Sequence, residues 1–461
     1  MGEDWRARVL YEIEPTPAED QAVQEDARAL ENAVEAFLEE KGWTGEARVE
    51  GSLAKGTYLA GDADMDCFVA FPPDVDRAEL ERRARAMGGI LPDAVVAYAE
   101  HPYAEGTWRG QDTEIVPCYD LDDASQLKSA VDRTRFHTNY VNERLDDGTR
   151  RETRLSKAFL RGVEVYGAEE SVLGFSGYLA ELLVLGLGGF EDVLAWAREG
   201  FPHPLEPGPE AQRRFEEDPL VVVDPVDPTR NAAAAVARSS LVRLREAAAA
   251  FWADPGPRFF GDPPQPRLEP EEAHDRCQAR GTRPLAVEIP TPDEELADPV
   301  HAQLRRALTL AVEEIERKQV PVAASALHVE TDDEGRPETG WLLVEAEEQP
   351  LQEPLLHEGP PVHVGDHADS FRESWEDEPR AAGPVFEEDG HLFVRIEREA
   401  VSLMTIVEPH LRGAKAGKVV DRAIEDDAVL ALEGPQAVAR APEEPLGRLL
   451  DRRPPWERAS Q

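Results

Sequence analysis

The sequence predicts a multidomain α+β protein. Three observations support this class: strand and helix patterns alternate up to about residue 145, helical patterns follow to about residue 260, and strands return beyond a proline-rich break. The break, DPGPRFFGDPPQPRLEP at residues 254–270, is the clearest boundary in the chain. We therefore predict domains over residues 1–145, 146–260 and 271–461.

The first domain is predicted to contain a long helix and four strands. Thr16 and Glu19 have capping-box spacing, Pro17 suits the first helical position, and Gly42 suits the end of the helix. The predicted strands cover residues 47–50, 64–71, 94–101 and 113–119, with a helix at 77–87.

The remaining domains are predicted from weaker patterns. Helical sequence runs from residue 151 to 252 with a loop at 201–210, and Asp227 followed by Pro228 predicts a further helix start. The elements predicted after the break are a strand (285–289), a helix (300–318) and two strands (320–327 and 340–346), the order of a ferredoxin-like unit. Asp389-Gly390 predicts a hairpin turn. The final stretch, the last thirty or so residues with APEEPLGRLLDRRPPWERASQ, is predicted to be loosely ordered.

The charge balance is strongly acidic. Lys and Arg total 50 against 94 Asp and Glu, a net charge of −44, and only seven of the 50 are Lys. Such a balance ordinarily argues against a nucleic-acid partner. An acidic surface with few lysines is, however, typical of adaptation to high salt, where the Debye length falls to ~3 Å. Local arginine clusters at 133–135, 150–161 and 238–245 are then candidate RNA contacts, although they could equally pair with nearby carboxylates.

Cysteine usage and the N-terminus favour a cytoplasmic protein. Cys67, Cys118 and Cys277 have no CxxC spacing, which predicts reduced thiols and no structural zinc. The N-terminus lacks a signal-peptide pattern, and no apolar stretch approaches the roughly 18 residues of a membrane span. Nothing in the sequence would activate the Cys67 or Cys118 thiol, so we interpret both as core residues.

One acidic motif stands out. In GSLAKGTYLAGDADMDCFVAFP, residues 51–72, Asp64 and Asp66 would project from the same side of a strand. Adjacent carboxylates repel each other unless a cation lies between them, and Mg²⁺ prefers such oxygen ligands. Glu114 on a later strand would supply a third carboxylate, enough for a two-metal site. D-x-D pairs also arise by chance in so acidic a chain. We interpret Asp62 as one such chance acidic residue, without a role as a ligand.

The turn before these carboxylates suits a phosphate. Gly51 and Ser52 end a short strand and open a turn or helix start, where backbone N–H groups and the Ser52 hydroxyl could cradle a phosphate, with Lys55 adding positive charge.

These residues resemble a known family. The 51–72 segment is similar to the signature of the polymerase-β-like nucleotidyltransferases. The motifs that narrow the resemblance to the archaeal (class I) CCA-adding enzymes are AEHPYAEGTW, EIVPCY, KSAVDRTRFH, VYGAEE, GFSGYLAELL and VVDPVDPTRNAAA. The resemblance implies a polymerase-β-like head, a helical neck, a ferredoxin-like body and a C-terminal tail. It also implies template-independent addition and repair of the 3′ CCA of tRNA from CTP and ATP, with release of pyrophosphate.

The resemblance also implies roles for particular residues. The implied Mg²⁺ ligands and catalytic residues are Asp64, Asp66 and Glu114; the implied nucleotide-binding residues are Ser52, Lys55, His137, Lys157, Tyr166 and Arg230. Arg230 would read the edge of the incoming base, with Asp227 and Asn231 as candidate helpers. Tyr166 comes nine residues after Lys157, about half a helical turn out of phase, so the two could not share a face of one helix. Both can contact the nucleotide only if the helix ends or bends between them.

Two residues depart from the pattern of the family. Lys55 stands where relatives commonly have Arg, and Glu114 where many have Asp.

Partners implied by the resemblance are tRNA lacking its CCA and a second copy of the chain as a homodimer. The alternatives are another RNA nucleotidyltransferase of the same superfamily, such as a poly(A) polymerase-like enzyme, and a non-catalytic tRNA-binding relative.

Overall fold

The computed structural model contains two compact units. Residues 1–264 together with 454–461 form the first unit, and residues 265–453 form the second. The structure describes residues 5–92, 94–98, 102–202, 213–292, 296–332, 335–348, 354–397, 402–413 and 415–458.

A five-stranded mixed sheet forms the centre of the N-terminal part. Its strands are β1 (Glu46–Val49), β2 (Met65–Phe71), β3 (Val95–Tyr98), β4 (Pro102–Trp108) and β5 (Gln111–Tyr119), in the spatial order β1-β2-β5-β4-β3. Strands β2 and β5 are parallel, and the other pairs are antiparallel. The four predicted strands are confirmed, apart from the end of the third, since residues 99–101 lie outside the described residues. Strand β4 was missing from the prediction.

The helices that pack on the sheet are α2 (Pro17–Lys41), α3 (Gly51–Lys55) and α4 (Arg77–Met87). Helix α1 (Trp5–Ile13), which precedes them, buries Val9 and Ile13 in a separate core. The predicted capping box of α2 is confirmed, because the Thr16 hydroxyl accepts a hydrogen bond from the Glu19 N–H at 3.2 Å. Gly42 ends the helix with φ 67°.

The two faces of strand β2 separate core from site. Met65, Cys67 and Val69 are fully buried in the core that α2 and α4 cover. The residues of the opposite face form a smaller buried cluster of Phe68, Ala70, Val116 and Cys118. Burial raises the pKa of the Cys67 and Cys118 thiols. Both cysteines are therefore inert core residues, as predicted.

Five further α-helices of the first unit lie between residues 133 and 253 in the part of the chain that the structure describes. They are α5 (Arg133–Asn142), α6 (Asp147–Gly162), α7 (Gly177–Leu187), α8 (Phe190–Arg198) and α9 (Arg238–Ala253). Their core is aromatic, with Phe159 in ring contact with Phe190, Phe251 and Phe259. Most of the predicted 201–210 loop lies outside the described residues.

The predicted helix start at Asp227 is wrong. Residues 224–230 instead form a tight turn, in which the Asp224 N–H bonds the Arg230 carbonyl at 3.0 Å, and the helix begins at Arg238. The Asp227 carboxylate bonds the N–H and hydroxyl of Thr229. Beyond the turn, Asn231 Oδ1 accepts a hydrogen bond from the backbone N–H of Val222. Asp and Asn side chains bond nearby backbone in this way in competition with helix formation.

The second unit contains the predicted ferredoxin-like sheet. The elements that form it are β6 (Thr282–Pro290), α11 (Ala297–Arg317), β7 (Val322–Thr331), β8 (Pro337–Glu347), α13 (Leu403–Gly413), α14 (Lys418–Glu425) and β12 (Leu430–Glu433), preceded by α10 (Pro270–Arg280). All neighbouring strands are antiparallel, in the spatial order β12-β6-β8-β7. The ferredoxin-like prediction is confirmed.

A small three-stranded sheet is inserted after β8. Its elements are β9 (Leu355–Pro361), α12 (Gly365–Glu376), β10 (Phe386–Glu388) and β11 (His391–Ile396). The predicted hairpin turn is confirmed: Asp389 and Gly390 connect β10 to β11 with φ of 48° and 80°. Two consecutive positive φ values are typical of a type I′ hairpin turn.

The final stretch is ordered up to Arg458, where the described residues end, so the prediction of a loose C-terminus is wrong for this part. Its helices are α15 (Pro435–Arg440), α16 (Glu443–Leu450) and α17 (Pro455–Arg458). Leu446, Leu449 and Leu450 are buried in the second unit. Trp456 belongs to the first unit, where it stacks on Phe259 with ring centroids 5.7 Å apart. None of the helices that the structure describes is long and apolar enough to cross a bilayer.

Candidate active site

Two carboxylates lie opposite each other on the central parallel strands. Asp66 on β2 pairs in register with Glu114 on β5, so their side chains emerge from the same face of the sheet. Asp64 directly precedes β2. Glu105 on β4 pairs with Glu114 from the other side and adds a fourth acidic residue to the row. The sequence reasoning missed Glu105 because it missed its strand.

Burial and mutual repulsion raise the pKa values of these groups. The pKa of Asp66 is raised to about 6, mainly by burial and then by Asp64. The pKa of Glu114 is raised to about 7, by burial and then by Asp66, Glu105 and Asp64. Burial also raises the pKa of Asp64. Several carboxyl groups held together in this way suit a hard divalent cation, which would relieve their repulsion.

The carboxylate oxygens of Asp64, Asp66 and Glu114 suit Mg²⁺ chemically, although the side chains are not arranged around a common metal position. Within the described ranges, no group of three or more His, Cys, Asp or Glu side chains has the geometry to hold a metal ion. The fit therefore rests on the shared face and on the carboxylate oxygens, which are the ligands that Mg²⁺ takes together with water and phosphate.

Gly51 lets the phosphate-binding turn approach Asp66. Its φ is +68°, and a Cβ at this position would lie 2.0 Å from Asp66 Oδ2. No larger side chain fits without displacing the carboxylate. Ser52 follows in α3 and is partly exposed. The predicted turn and the predicted carboxylate are therefore in direct contact.

Two predicted nucleotide-binding lysines meet at one buried carboxylate. Glu181 Oε2 accepts a hydrogen bond from Lys55 Nζ at 2.6 Å, and Glu181 Oε1 accepts one from Lys157 Nζ at 3.0 Å. The Thr57 hydroxyl donates to Glu181 Oε1 at 2.6 Å and accepts from Lys157 Nζ at 2.9 Å. The sequence reasoning missed Glu181, whose signal was a lone acidic residue in the otherwise apolar helix GYLAELLVLGL.

The charges in this cluster compensate each other. Burial alone would raise the pKa of Glu181, but the ammonium groups of Lys157 and Lys55 outweigh it and hold that pKa at about 2. Burial lowers the pKa of Lys55, against the opposing effect of Glu181. The side chains of Lys55 and Lys157 are only 7% and 2% exposed, so Glu181 fixes both ammonium groups in place.

Tyr166 reaches the same cluster. Helix α6 ends at Gly162, which removes the phase difference between Lys157 and Tyr166. A Cβ at Gly177 would lie 2.9 Å from the Tyr166 hydroxyl and 3.5 Å from Lys157 Nζ, so both groups border this glycine. The structure thus brings together two of the predicted nucleotide-binding residues at the start of α7.

His137 and Arg230 meet at a second buried carboxylate. His137 Nε2 lies 2.9 Å from Asp224 Oδ2, and Arg230 Nη1 donates to the same oxygen at 3.0 Å. Asp227 instead accepts a hydrogen bond from Arg133 Nε at 2.8 Å. Asn231 bonds Val222, Ala233, Leu220 and Asp218, so its side chain holds the loop together.

The arginine cluster at 150–161 bonds to its own protein. Arg150 Nε donates to the Lys55 carbonyl at 3.0 Å, and Arg154 Nη2 donates to the Gly56 carbonyl at 2.7 Å. Arg161 pairs with Asp62 at 2.8 Å. The Arg161–Asp62 contact supports the carboxylate-pairing alternative, whereas the bonds of Arg150 and Arg154 go to backbone carbonyls. They also fix the chain that follows α3.

The fold and its carboxylate row define a nucleotidyltransferase. The family model described as nucleotidyltransferase domain matches residues 30–137. The model for the second domain of tRNA nucleotidyltransferase matches residues 151–261, and the model for the C-terminal domain of the CCA-adding enzyme matches residues 280–432.

Curated relatives narrow the class. The CCA-adding enzyme of Haloarcula marismortui is 39% identical over 84% of this chain and 85% of its own length. That of Halobacterium salinarum is 40% identical over 85% of each chain. That of Halorubrum lacusprofundi is 37% identical over 97% of this chain and 98% of its own. The chain therefore belongs to the family of archaeal CCA-adding enzymes, and its acidic composition fits its halophilic relatives.

Solved structures match more distantly. A Cid1 poly(U) polymerase structure with Mg and 3′-dATP bound is 14% identical, with a TM-score of 0.42 over 53% of this chain and 91% of its own. At this score the similarity adds nothing to the family assignment.

Proposed function

We propose that this protein adds and repairs the 3′-terminal CCA of tRNA without a template, using CTP and ATP and releasing pyrophosphate. The observation that carries the proposal is the contact between the Gly51 turn and Asp66, with Glu114 directly opposite in register. This places a candidate phosphate-binding turn against a pair of carboxylates. Membership of the CCA-adding family supports the tRNA substrate.

Asp64, Asp66 and Glu114 are the residues that would hold Mg²⁺. When bound, the ion would supply positive charge to the triphosphate and lower the pKa of the attacking 3′-hydroxyl. Ser52 and the backbone of the Gly51 turn would hold the phosphates, because short turns of this kind present N–H groups to anions. Glu181 would hold the amino groups of Lys55 and Lys157 in position beside them.

Arg230 and His137 would contact the rest of the nucleotide. Arg230 is held at Nη1 while its side chain remains 38% exposed, which supports a role in reading a base from the open side. Tyr166 lies with Lys157 at the start of α7, which supports a shared contact with the nucleotide.

The proposed domain division is a catalytic head at residues 1–145, a helical neck at 146–260, and a tRNA-binding body and tail at 271–461. The matched ranges 30–137, 151–261 and 280–432 are compatible with it. We also propose that the enzyme works in the cytoplasm; its three cysteines are all free and buried. Homodimerisation stays a prediction, which the mass from light scattering would test.

The test is a single incubation. A tRNA transcript that ends before the CCA is incubated with CTP, ATP and Mg²⁺ in high KCl, and the 3′ ends are sequenced. Addition of C, C and A followed by arrest supports the proposal. Unlimited addition of A would favour a poly(A) polymerase-like enzyme. An unchanged tRNA that nevertheless binds would favour a non-catalytic relative.

A further inference from the structure

Each carboxylate oxygen of Asp224 has at least two hydrogen-bond partners. Its side chain is completely buried. Oδ1 accepts hydrogen bonds from the Tyr178 hydroxyl at 3.0 Å and the Val226 N–H at 2.9 Å. Oδ2 faces His137 Nε2 at 2.9 Å and Arg230 Nη1 at 3.0 Å. Because an ionised carboxylate only accepts, His137 must carry its proton on Nε2.

The three side-chain donors come from three separate elements. His137 lies on α5, Tyr178 lies on α7, and Arg230 closes the 224–230 turn. His137 also stacks on Tyr178, with ring centroids 3.9 Å apart and planes at 20°. Asp224 therefore connects two helices to the turn that bears the candidate base-reading arginine.

The electrostatics require the charged form of Asp224. Burial alone would raise its pKa, but the hydrogen bond and the charge of His137, with the bonds from Val226 and Tyr178, lower the pKa to about 2. The bond to Arg230 Nη1 is thus charge-assisted on both sides. Such bonds are about twice as strong as neutral ones, and this one anchors the guanidinium of Arg230 at Nη1.

We propose that Asp224 is a positioning residue that fixes Arg230 and the His137–Tyr178 pair in one orientation and thereby sets which bases the enzyme accepts. This inference rests on the proposed function. A guanidinium that rotates freely can offer donors to the edge of almost any base, whereas a fixed one matches a single pattern. A site built to hydrogen-bond one pattern rejects a ligand that lacks it, because its own polar groups are then left unpaired.

The test is base selectivity in the variant Asp224→Asn. The amide keeps the size of the side chain, but its NH₂ group faces donors and it carries no charge. Extension of a tRNA ending before the CCA is measured with CTP and with UTP separately. We expect the ratio of kcat/KM for CTP to that for UTP to fall at least about tenfold, which corresponds to 1.4 kcal/mol of discrimination. A KM for CTP that rises more than kcat falls would accompany it.

The matched control is Asp218→Asn. Asp218 accepts a hydrogen bond from Asn231 Nδ2 at 2.8 Å in the same loop, but its contacts do not include His137, Tyr178 or Arg230. This control is expected to keep the selectivity of the wild type. If Asp224→Asn fails to fold, Tyr178→Phe decides, since it removes one donor to Asp224 and keeps the ring stack. Reduced selectivity in Tyr178→Phe supports the inference, and wild-type selectivity overturns it.

Two outcomes contradict the inference in different ways. An Asp224→Asn enzyme that is slower but keeps the wild-type CTP:UTP ratio overturns the positioning role and leaves the proposed function standing. A wild-type enzyme that does not extend tRNA overturns the proposed function itself, and the inference with it.

Discussion

Lys55 Nζ lies 2.6 Å from Glu181 Oε2, with both side chains buried in the first unit. Lys157 shares the same carboxylate. Breaking a buried ion pair by removing one partner typically costs about 3–5 kcal/mol, because the remaining charge is uncompensated. This cluster therefore makes a clear prediction about stability.

Glu181→Gln should destabilise the protein, and the loss should depend on pH. The pKa of Glu181 is lowered from 4.5 to about 2 in the folded state. Its stabilising contribution is therefore complete above pH 4.5 and is lost as the pH falls towards 2. Urea unfolding should show a large difference between variant and wild type at pH 7, and a smaller one at pH 3. A difference independent of pH would contradict the assignment. Glu39→Gln, at an exposed position of α2, is the matched control.

Gly51→Ala should slow nucleotide addition about 100-fold by moving Asp66. The new Cβ would lie 2.0 Å from Asp66 Oδ2, so the carboxylate has to move. A displacement of about 1 Å can cost about 100-fold in rate. Gly61→Ala is the control, because Gly61 has a similar φ of +72° but nothing within 4 Å of its Cβ position. It should lose about 1 kcal/mol of stability and keep its activity. Equal activity losses in the two variants would argue against the contact.

Asp66→Asn should lose activity without losing stability. Its pKa is raised to about 6, so above that pH the ionised carboxylate destabilises the fold, and a neutral amide relieves this. At pH 8 in EDTA the variant should unfold at the same temperature as the wild type or a higher one, while nucleotide addition with Mg²⁺ is lost. Asp62→Asn should stay active, because Asp62 pairs with Arg161 outside the carboxylate row. Activity in Asp66→Asn would refute the metal assignment.

Trp456→Ala should destabilise the first unit. Trp456 is 5% exposed and stacks on Phe259. Truncating a buried aromatic side chain usually costs about 3–5 kcal/mol. Trp252→Ala, at a site 46% exposed, should change the free energy of unfolding by about 0.5 kcal/mol or less. Similar denaturation curves for the two variants would show that the C-terminal contact contributes little.

Salt should stabilise this protein strongly. With a net charge of −44, self-repulsion opposes the compact state and is screened as the Debye length shortens to ~3 Å at 1 M salt. The melting temperature should rise steeply with KCl concentration and much less with an equal osmolality of sucrose. A melting temperature that does not depend on KCl would contradict the interpretation of the acidic composition as salt adaptation.

Local chemistry explains which elements could be predicted. The capping box at Thr16, the alternation around Met65 and the Asp389-Gly390 turn depend on residues near each other in sequence, and all three are confirmed. Strand β4, PYAEGTW, begins with Pro, contains Gly and has mixed polarity, so it forms through its pairing with β3 and β5 rather than through its own propensity.

The residues of the candidate site likewise divide into those that local sequence could predict and those that it could not. Asp64, Asp66 and Glu114 could be proposed because a strand pattern fixes which side chains share a face. Asp224 could not, because among 94 acidic residues an individual carboxylate gives no signal. The signal of Glu181, a lone acidic residue in an apolar helix, does not reveal which residues it contacts. Their importance follows from partners on distant segments: Glu181 bonds Lys55, and Asp224 bonds His137. Only the folded chain brings these groups together.

The return of α17 to the first unit has a consequence for synthesis on the ribosome. Arg458 bonds Glu164 across 294 residues of sequence, and Trp456 caps the aromatic core at Phe259. The whole second unit is translated between the two halves of these contacts. During that interval the nascent first unit exposes at Phe259 an apolar surface that only the last residues of the chain cover.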